Sequence, residues 1–375
     1  NDGQDFFPLL VDYKKEFYAA GKFLGGFKKR EGRPSDAEIL LMRLIDRPLR
    51  PLFPEGFMFE TIITANVLSF DGHNDPEILA GLGASAALEV SNIPFNGPLG
   101  FVKIGKIDGK LVVNPGVHDW EKSDLELVVA ASMDALLMVE GEANELSEEE
   151  MLAALEMAHN EIQKICAEIK NMGKSVGATK REFSASNPNK TTLEKVEAKF
   201  KDQALACLAH KDKLVRRDAN AKLQEDIAAL LTTDFAQYNL AEDTNFNNEA
   251  RKLTDELLYK LMRSEIIYNT KRIDGRSLTQ VRPIETEVSV LKAPHGSSLF
   301  TRGETQVMAA VTIGGKDGEQ MNDKLSGISY DRFYLHYHFP PFSVGEAKGY
   351  RGLARREIGH GNLAERAIKK LLPKY

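Results

Sequence analysis

Two short stretches of this 375-residue sequence gather cations where a polyanion could be held. The first comprises Lys28, Lys29, Arg30 and Arg33, following Gly25 and Gly26; the second comprises Arg351, Arg355, Arg356 and His360, around Gly352. Each reads as a Gly-rich loop just ahead of a helix. Backbone N–H groups at a helix N-terminus, joined by basic side chains, make an anion site. Cations alone at that positive end are mildly disfavoured, so the pattern calls for an anionic partner. Guanidinium forks match phosphate geometry, and the adjacent Arg355 and Arg356 favour a phosphate or phosphodiester over a carboxylate metabolite. Phe27, beside the first cluster, offers a ring for stacking on a base, with a buried aromatic anchor as the plainer alternative.

Other combinations weaken on inspection. Gly81-Leu-Gly83-Ala-Ser-Ala86 has the spacing of a dinucleotide loop, but Asp75 and Pro76 read as a helix N-cap and first turn. That puts the glycines inside a helix, as close-packing residues. His336 and His338 would share one face of a strand, yet no third ligand accompanies them, so no metal is expected there. His295, Ser297 and Ser298 lack an acid to orient the histidine, and a turn between strands is expected. Cys166 and Cys207 form neither a C-x-x-C nor a Cys/His ladder and read as reduced thiols.

The elements that must position the two clusters follow from periodicity. Residues 1–145 mix β-rich runs such as 61–70 with a helix-like 38–44, an α+β pattern. Ser147 and Glu150 form a capping box, after which Leu152, Leu155, His159, Ile162, Cys166 and Ile169 recur at helical spacing. Such spacing resumes at 193–208, 223–231 and 250–267, beyond a polar linker at 173–190. From Arg272-Ile-Asp-Gly-Arg276 onward β character returns, with strands expected at 285–291, 307–313 and 332–338. The expected organisation is α+β at 1–145, all-helical at 146–268, and a second, incomplete α+β domain at 269–375.

An internal repeat links the clusters. An offset of about 326 residues carries Phe7 onto Phe333, Gly26 onto Gly352 and Lys29-Arg30-Glu31 onto Arg355-Arg356-Glu357. One inserted residue later, Arg33 meets His360 and Ala37-Glu38 meets Ala364-Glu365. Superposition of the copies is therefore expected to bring Arg30 onto Arg356.

A chain with 42% apolar and 28% charged residues belongs to the soluble globular class, and its length predicts two or three domains. There is no apolar run long enough for a membrane span and no signal-like N-terminus, so a cytoplasmic location without membrane contact is the expectation. The net charge of −6 argues against bulk attraction to nucleic acid and leaves local clusters to do the binding. Asn1 and Tyr375 are unlike natural termini, and the chain is expected to be part of a longer protein.

Seven blocks resemble bacterial polynucleotide phosphorylase: Phe27-Lys-Lys-Arg-Glu-Gly-Arg-Pro34, Leu44-Ile-Asp-Arg-Pro-Leu-Arg-Pro-Leu-Phe-Pro-Glu-Gly-Phe57, Ile93-Pro-Phe-Asn-Gly-Pro98, Arg272-Ile-Asp-Gly-Arg276, Phe300-Thr-Arg-Gly-Glu-Thr-Gln306, Phe339-Pro-Pro-Phe-Ser-Val-Gly-Glu346 and Arg355-Arg-Glu-Ile-Gly-His-Gly361. The resemblance implies two RNase PH-like domains joined by a helical domain, in a homotrimeric ring threaded by single-stranded RNA. It implies a 3′→5′ exoribonuclease that uses inorganic phosphate to release nucleoside 5′-diphosphates and, in reverse, polymerises RNA. Arg355, Arg356 and His360 match the residues that hold the RNA backbone near the phosphorolytic centre. Lys29, Arg30 and Arg33 match the first-domain phosphate-binding loop, and Phe27 the aromatic of the channel mouth, with Lys28 in place of a second ring. Magnesium (Mg2+) is the implied cofactor. Its ligands, the Ser-rich phosphate loop and the C-terminal RNA-binding domains are expected beyond Tyr375. In the first domain the position of that loop reads His73-Asn-Asp-Pro76, without a hydroxyl cradle, so this domain is expected to be non-catalytic. RNA-degradation complex partners are also implied.

Two other readings are weighed against this one. The chain as given, expected to be inactive because its catalytic segment is missing, could serve only as an RNA-binding ring scaffold. A hydrolytic nuclease would instead need a cluster of acidic metal ligands within the repeats, and none is visible.

Overall fold

The structure is a computed structural model that describes residues 6–24, 29–177, 179–183, 190–238, 240, 244–349, 352–369 and 371–373. Its contacts divide the chain into two compact units, Gly3–Ala185 together with Gly315–Tyr375, and Ser186–Gly314.

In the first unit, β1 (Leu9–Lys15) alternates Leu9, Val11 and Tyr13 inward and pairs in parallel with β2 (Thr61–Val67), Leu9 opposite Thr61. A parallel pair needs a crossover, supplied by α1 (Asp36–Leu49). Ser35 and Glu38 close the start of α1 in a capping box, and Leu41, Met42, Ile45 and Leu49 form its buried face. α2 (Pro76–Val90) begins as expected, with Asp75 accepting from the Glu77 N–H. Its glycines are packing residues: a Cβ on Gly81 would stand 2.7 Å from the Phe101 ring.

Next comes an antiparallel sheet in the order β4-β3-β5-β6, formed by β3 (Gly100–Ile107), β4 (Lys110–Val113), β5 (Ser123–Ala131) and β6 (Leu136–Ala143). Asp108 and Gly109, both at positive φ, make the tight turn between β3 and β4. Side chains on β3 and β5 alternate between two cores. Phe101, Val128 and Ala130 join the core of β1, α1 and α2, while Val102, Ile104, Leu127 and Val129 face α3 (Glu148–Val176).

The capping box of α3 is present, but the helix does not open the helical segment expected from residue 146. Ala154, Ala158, Ile162 and Cys166 lay it on the sheet, and Gly100 permits the approach, since a Cβ there would stand 2.8 Å from Ile162. Leu152, assigned to the apolar stripe by spacing, is 65% exposed.

The second unit holds α4 (Lys190–Ala209), α5 (Lys213–Asp234) and α6 (Phe246–Asn269), joined around Val196, Phe200, Leu223, Ile227, Leu253 and Leu257. It also contains a meander of β7 (Ile284–Val288), β8 (Gly296–Arg302) and β9 (Thr305–Val311). The turn expected at Ser297 and Ser298 is therefore strand. The Ser297 hydroxyl accepts from the Leu291 N–H, and His295 Nδ1 accepts from the Ile313 N–H, so both are structural.

The segment expected as one second α+β domain is split between the units. In the first unit it forms the hairpin of β10 (Gln320–Lys324) and β11 (Gly327–Asp331), followed by α7 (Arg355–Lys369). The strand expected at 332–338 makes no ladder. The Leu335 and Phe339 N–H groups donate instead to Glu365 and Glu357 on α7. In the first copy β1 is a strand because β2 pairs with it, whereas no described strand pairs with 332–338.

Candidate nucleic-acid interface

The two basic clusters occupy different places relative to their helices. In the first, Phe27 and Lys28 lie outside the described residues. Lys29 takes a left-handed φ of 47°, and its Nζ lies 5.6 Å from the centre of the Phe23 ring, a cation–π contact. Phe23 is 86% exposed and was not singled out from sequence, where an aromatic near glycines carries no burial signal. Arg30 and Arg33 are exposed, with no side-chain partner among the described residues. Glu31 anchors the loop by accepting from the Phe17 N–H at 3.0 Å. Because Ser35 and Glu38 already satisfy the start of α1, this cluster stands ahead of a closed helix end.

In the second copy, Arg355 and Arg356 are the first residues of α7 itself and not part of a loop before it. Arg355 turns toward β1, with its guanidinium 2.7 Å from Asp12 Oδ1 and 3.1 Å from the Val11 carbonyl. Arg356 and His360 lie one turn apart on an exposed helix face, and the His360 ring meets Tyr337 edge-on at 4.5 Å. The Arg356 guanidinium has no partner among the described residues. Buried Glu357 accepts from the Ala354 and Phe339 N–H groups, both at 2.7 Å, and these bonds hold its carboxyl below the usual range. Ala354 has no side-chain acceptor, so the Glu357 N–H donates to the Ala354 carbonyl at 2.9 Å instead of to a side-chain cap such as Ser35 gives α1.

Sequence reading missed a further guanidinium at this helix. Arg43, on α1, donates to the Arg355 carbonyl at 3.3 Å and lies against Gly359, where a Cβ would stand 2.6 Å from its Cζ. Nothing local marks Arg43; only the docking of α1 against α7 brings it there.

The first-copy loop at His73 to Pro76 is filled by the chain's own acids. The Asp71 carboxylate accepts from the His73 and Asn74 N–H groups, each at 2.8 Å, which hold it down at about 2. Behind the loop, Lys103 is 8% exposed and pairs with Asp75 at 2.6 Å and Glu77 at 3.1 Å. Burial alone would lower the Lys103 pKa, but Glu77 and Asp75 outweigh it and hold it above the ordinary range. Lys15 adds a 3.5 Å contact to Glu77. The start of α2 is thus neutralised internally.

Neither His336 nor His338 lies on a strand, and among the described residues no three His, Cys, Asp or Glu side chains gather to hold a metal ion. Cys166 and Cys207 are free and buried, and burial pushes the Cys166 thiol up to about 11. No described helix is long and apolar enough to cross a membrane.

Comparison with known proteins agrees with the duplication. The family described as 3′ exoribonuclease family, domain 1, matches residues 1–94 and again 280–374. Domain 2 of the same family matches 97–161. A family described as polyribonucleotide nucleotidyltransferase, RNA binding domain, matches 191–277, which carries α4, α5 and α6. The chain is thus mixed α and β, with RNase PH domains separated by a helical region. Curated relatives include polyribonucleotide nucleotidyltransferases of Geobacter sulfurreducens and Geotalea uraniireducens, each 48% identical over the whole of this chain and over 52% and 53% of their own lengths. That of Bdellovibrio bacteriovorus is 46% identical over 99% of this chain and 53% of its own. The chain spans about half the length of the curated relatives it matches.

Proposed function

Because this chain belongs to the 3′ exoribonuclease family, we propose that it serves the phosphorolytic shortening of RNA from its 3′ end, releasing nucleoside 5′-diphosphates and running in reverse as untemplated polymerisation. The observation that carries this reading is the exposed Arg356 and His360 face at the start of α7, backed by Arg43 and Arg355. Inorganic phosphate must approach a phosphodiester, so two anions meet and the barrier falls only where fixed cations stand ready. Arg356 and His360 would hold the phosphates of the terminal nucleotides. Arg355, fixed by Asp12, would lend charge from one side, and Arg43 from the other. In the first copy the acids at Asp71, Asp75 and Glu77 occupy the amides and the lysine that an anion would need, which supports a non-catalytic role for that domain. Lys29, Arg30 and Arg33, with Lys28 and Phe27 beside them, would guide single-stranded RNA instead.

The proposal extends to a homotrimer with the Lys29 to Arg33 loop facing its axis, because the exposed Arg30 and Arg33 guanidiniums would be costly to bury in a subunit contact. A cytoplasmic location and RNA-degradation partners belong to the same reading. Magnesium is the metal expected for this chemistry, and among the described residues no group of three His, Cys, Asp or Glu side chains could hold it.

The test uses the full-length protein and a uniformly labelled RNA, with and without inorganic phosphate. Diphosphates released only with phosphate are expected. Monophosphates released without phosphate would make it a hydrolytic nuclease, and binding without any product would leave the scaffold reading.

A further inference from the structure

The side of α7 that docks on the first copy is held by charge. At 3.6 residues per turn, Gly359, Asn362 and Arg366 fall within about 40° of Arg355 around the helix axis, while Arg356 and His360 stand roughly 100–140° away. The contacts put this stripe against the first copy, with Arg355 on Asp12 and Gly359 against Arg43. Arg366 completes it, 3.1 Å from Glu140 Oε1 and 3.6 Å from Glu142 Oε2 on β6. A docked helix ordinarily fixes its roll with an apolar stripe. In α7 only Glu357 and Gly361 are fully buried, while Leu363 and Ile368 are 65% and 42% exposed.

The acids that receive Arg366 form a group in the first copy. Glu126 on β5 lies directly opposite Glu142 in the ladder, and Glu140 is two residues along on the same face of β6. Like charges directly opposite one another destabilise a sheet, so the group needs cations. Arg47 of α1 meets Glu140 Oε2 at 3.1 Å. Burial pushes the Glu126 carboxyl up, and Lys103 and Arg366 oppose that rise. The repeat has an apolar residue where Arg366 stands: the offset that carries Ala37-Glu38 onto Ala364-Glu365 carries Ile39 onto Arg366, and Ile39 packs against the core of the first copy. The same helix position thus holds α1 by burial and α7 by charge.

We propose that Arg366 is a positioning residue for the chemistry at α7: gripped by Glu140 and Glu142 of the first copy, it sets the roll of the helix that presents Arg356 and His360. Arg355 and Arg366 fasten one stripe at points about 16 Å apart along the axis. Arg366 is the firmer of the two, with 27% of its side chain exposed against 41% for Arg355 and two carboxylates against one. The inference rests on Arg356 and His360 holding the RNA, as proposed above, and adds what aims them. Aim matters because a misplacement of about 1 Å can cost roughly 10²-fold in rate.

The test combines phosphorolysis of a short RNA by the full-length protein with amide hydrogen exchange across α7. Arg366→Gln should lower kcat by about ten- to a hundredfold and speed exchange in α7 while α1 and β5 stay protected. Arg366→Lys, which keeps a cation within reach of the carboxylates, should recover most of both. Glu140→Gln with Glu142→Gln removes the grip from the other side and should lose as much as Arg366→Gln, with the triple variant losing no more. That pair decides the matter if Arg366→Gln does not fold. An unchanged kcat, or a fall in kcat while α7 exchanges as in the wild type, would overturn the proposal. If the wild type releases no diphosphate from any RNA, the functional reading fails, while the exchange series still decides whether Arg366 holds α7.

Discussion

The two basic clusters descend from one repeated motif, yet one precedes its helix and the other is built into it. In the first copy, Lys29, Arg30 and Arg33 lie before Ser35, and the capping box of Ser35 with Glu38 has satisfied α1 by the time the helix begins. In the second, α7 starts on the arginines, Ala354 supplies no cap, and Arg356 and His360 are locked one turn apart. Around α2, Asp71 and Asp75 likewise use up the loop amides of the first copy. Charge count alone does not separate the copies. What differs is whether the charges are held in register by a helix.

The largest expected effect tests that difference directly. In the full-length protein, Arg356→Ala with His360→Ala should cut turnover of a short RNA by about 10²-fold, the usual scale for losing preorganised charge at a reacting oxyanion. Lys29→Ala with Arg30→Ala should leave short-RNA turnover within a few-fold and lower the salt slope of a long RNA by roughly one unit. Equal losses of short-RNA turnover in both variants would erase the division between the copies. Next in size is the cap of α1. Ser35→Ala should cost about 1 kcal/mol in thermal unfolding without touching turnover.

A smaller effect concerns Arg355. With side-chain exposures of 41% and 35%, its ion pair with Asp12 should show a coupling below about 1 kcal/mol in a double-mutant cycle of stability. A coupling several times larger would mean that Arg355 is chiefly a structural clamp. The smallest effect is acid stability of the first-copy loop. The Asp71 carboxyl lies at about 2 against an ordinary 3.8, so its contribution is complete above pH 4 and disappears as pH falls to 2. Asp71→Asn should therefore be less stable than wild type above pH 4, with the two converging near pH 2 in acid unfolding. Parallel curves throughout that window would remove the carboxylate's hold on the loop.

Much of the fold was legible where sequence carried a local signal. The Ser147 and Glu150 box and the Asp75-Pro76 start are short-range devices, and both stand where they were read. The helix spacing at 193–208, 223–231 and 250–267 falls within α4, α5 and α6. Partnership was not legible. The spacing in α3 predicts a helix but not that small residues, Ala154 and Ala158, would seat it on β3 and β5. The stretch at 332–338 alternates like a strand, but a ladder needs a neighbour, and its Leu335 and Phe339 amides found carboxylates instead. β8 hid for the opposite reason: its sequence Gly-Ser-Ser-Leu-Phe-Thr-Arg lacks the apolar alternation that marks a half-buried strand, though Gly303 and Glu304 between Arg302 and Thr305 form a tight hairpin turn. At the candidate interface, the cations on the repeat were visible, whereas Arg43 and Phe23 depend on docking and exposure that no local pattern encodes.

The bond between Arg355 and Asp12 spans 343 residues. A ribosome adding about 5–20 residues each second needs roughly 20–70 s to travel that distance. Throughout that interval the nascent first copy carries Asp12 and the α7-facing side of α1 without their later partners. It must hold together on the contacts of β1, α1, α2 and the four-stranded sheet alone, and α7 arrives on a surface that is already formed. A chain stalled before residue 355 would therefore present a folded first copy with this docking surface still bare, a natural point for a chaperone to bind.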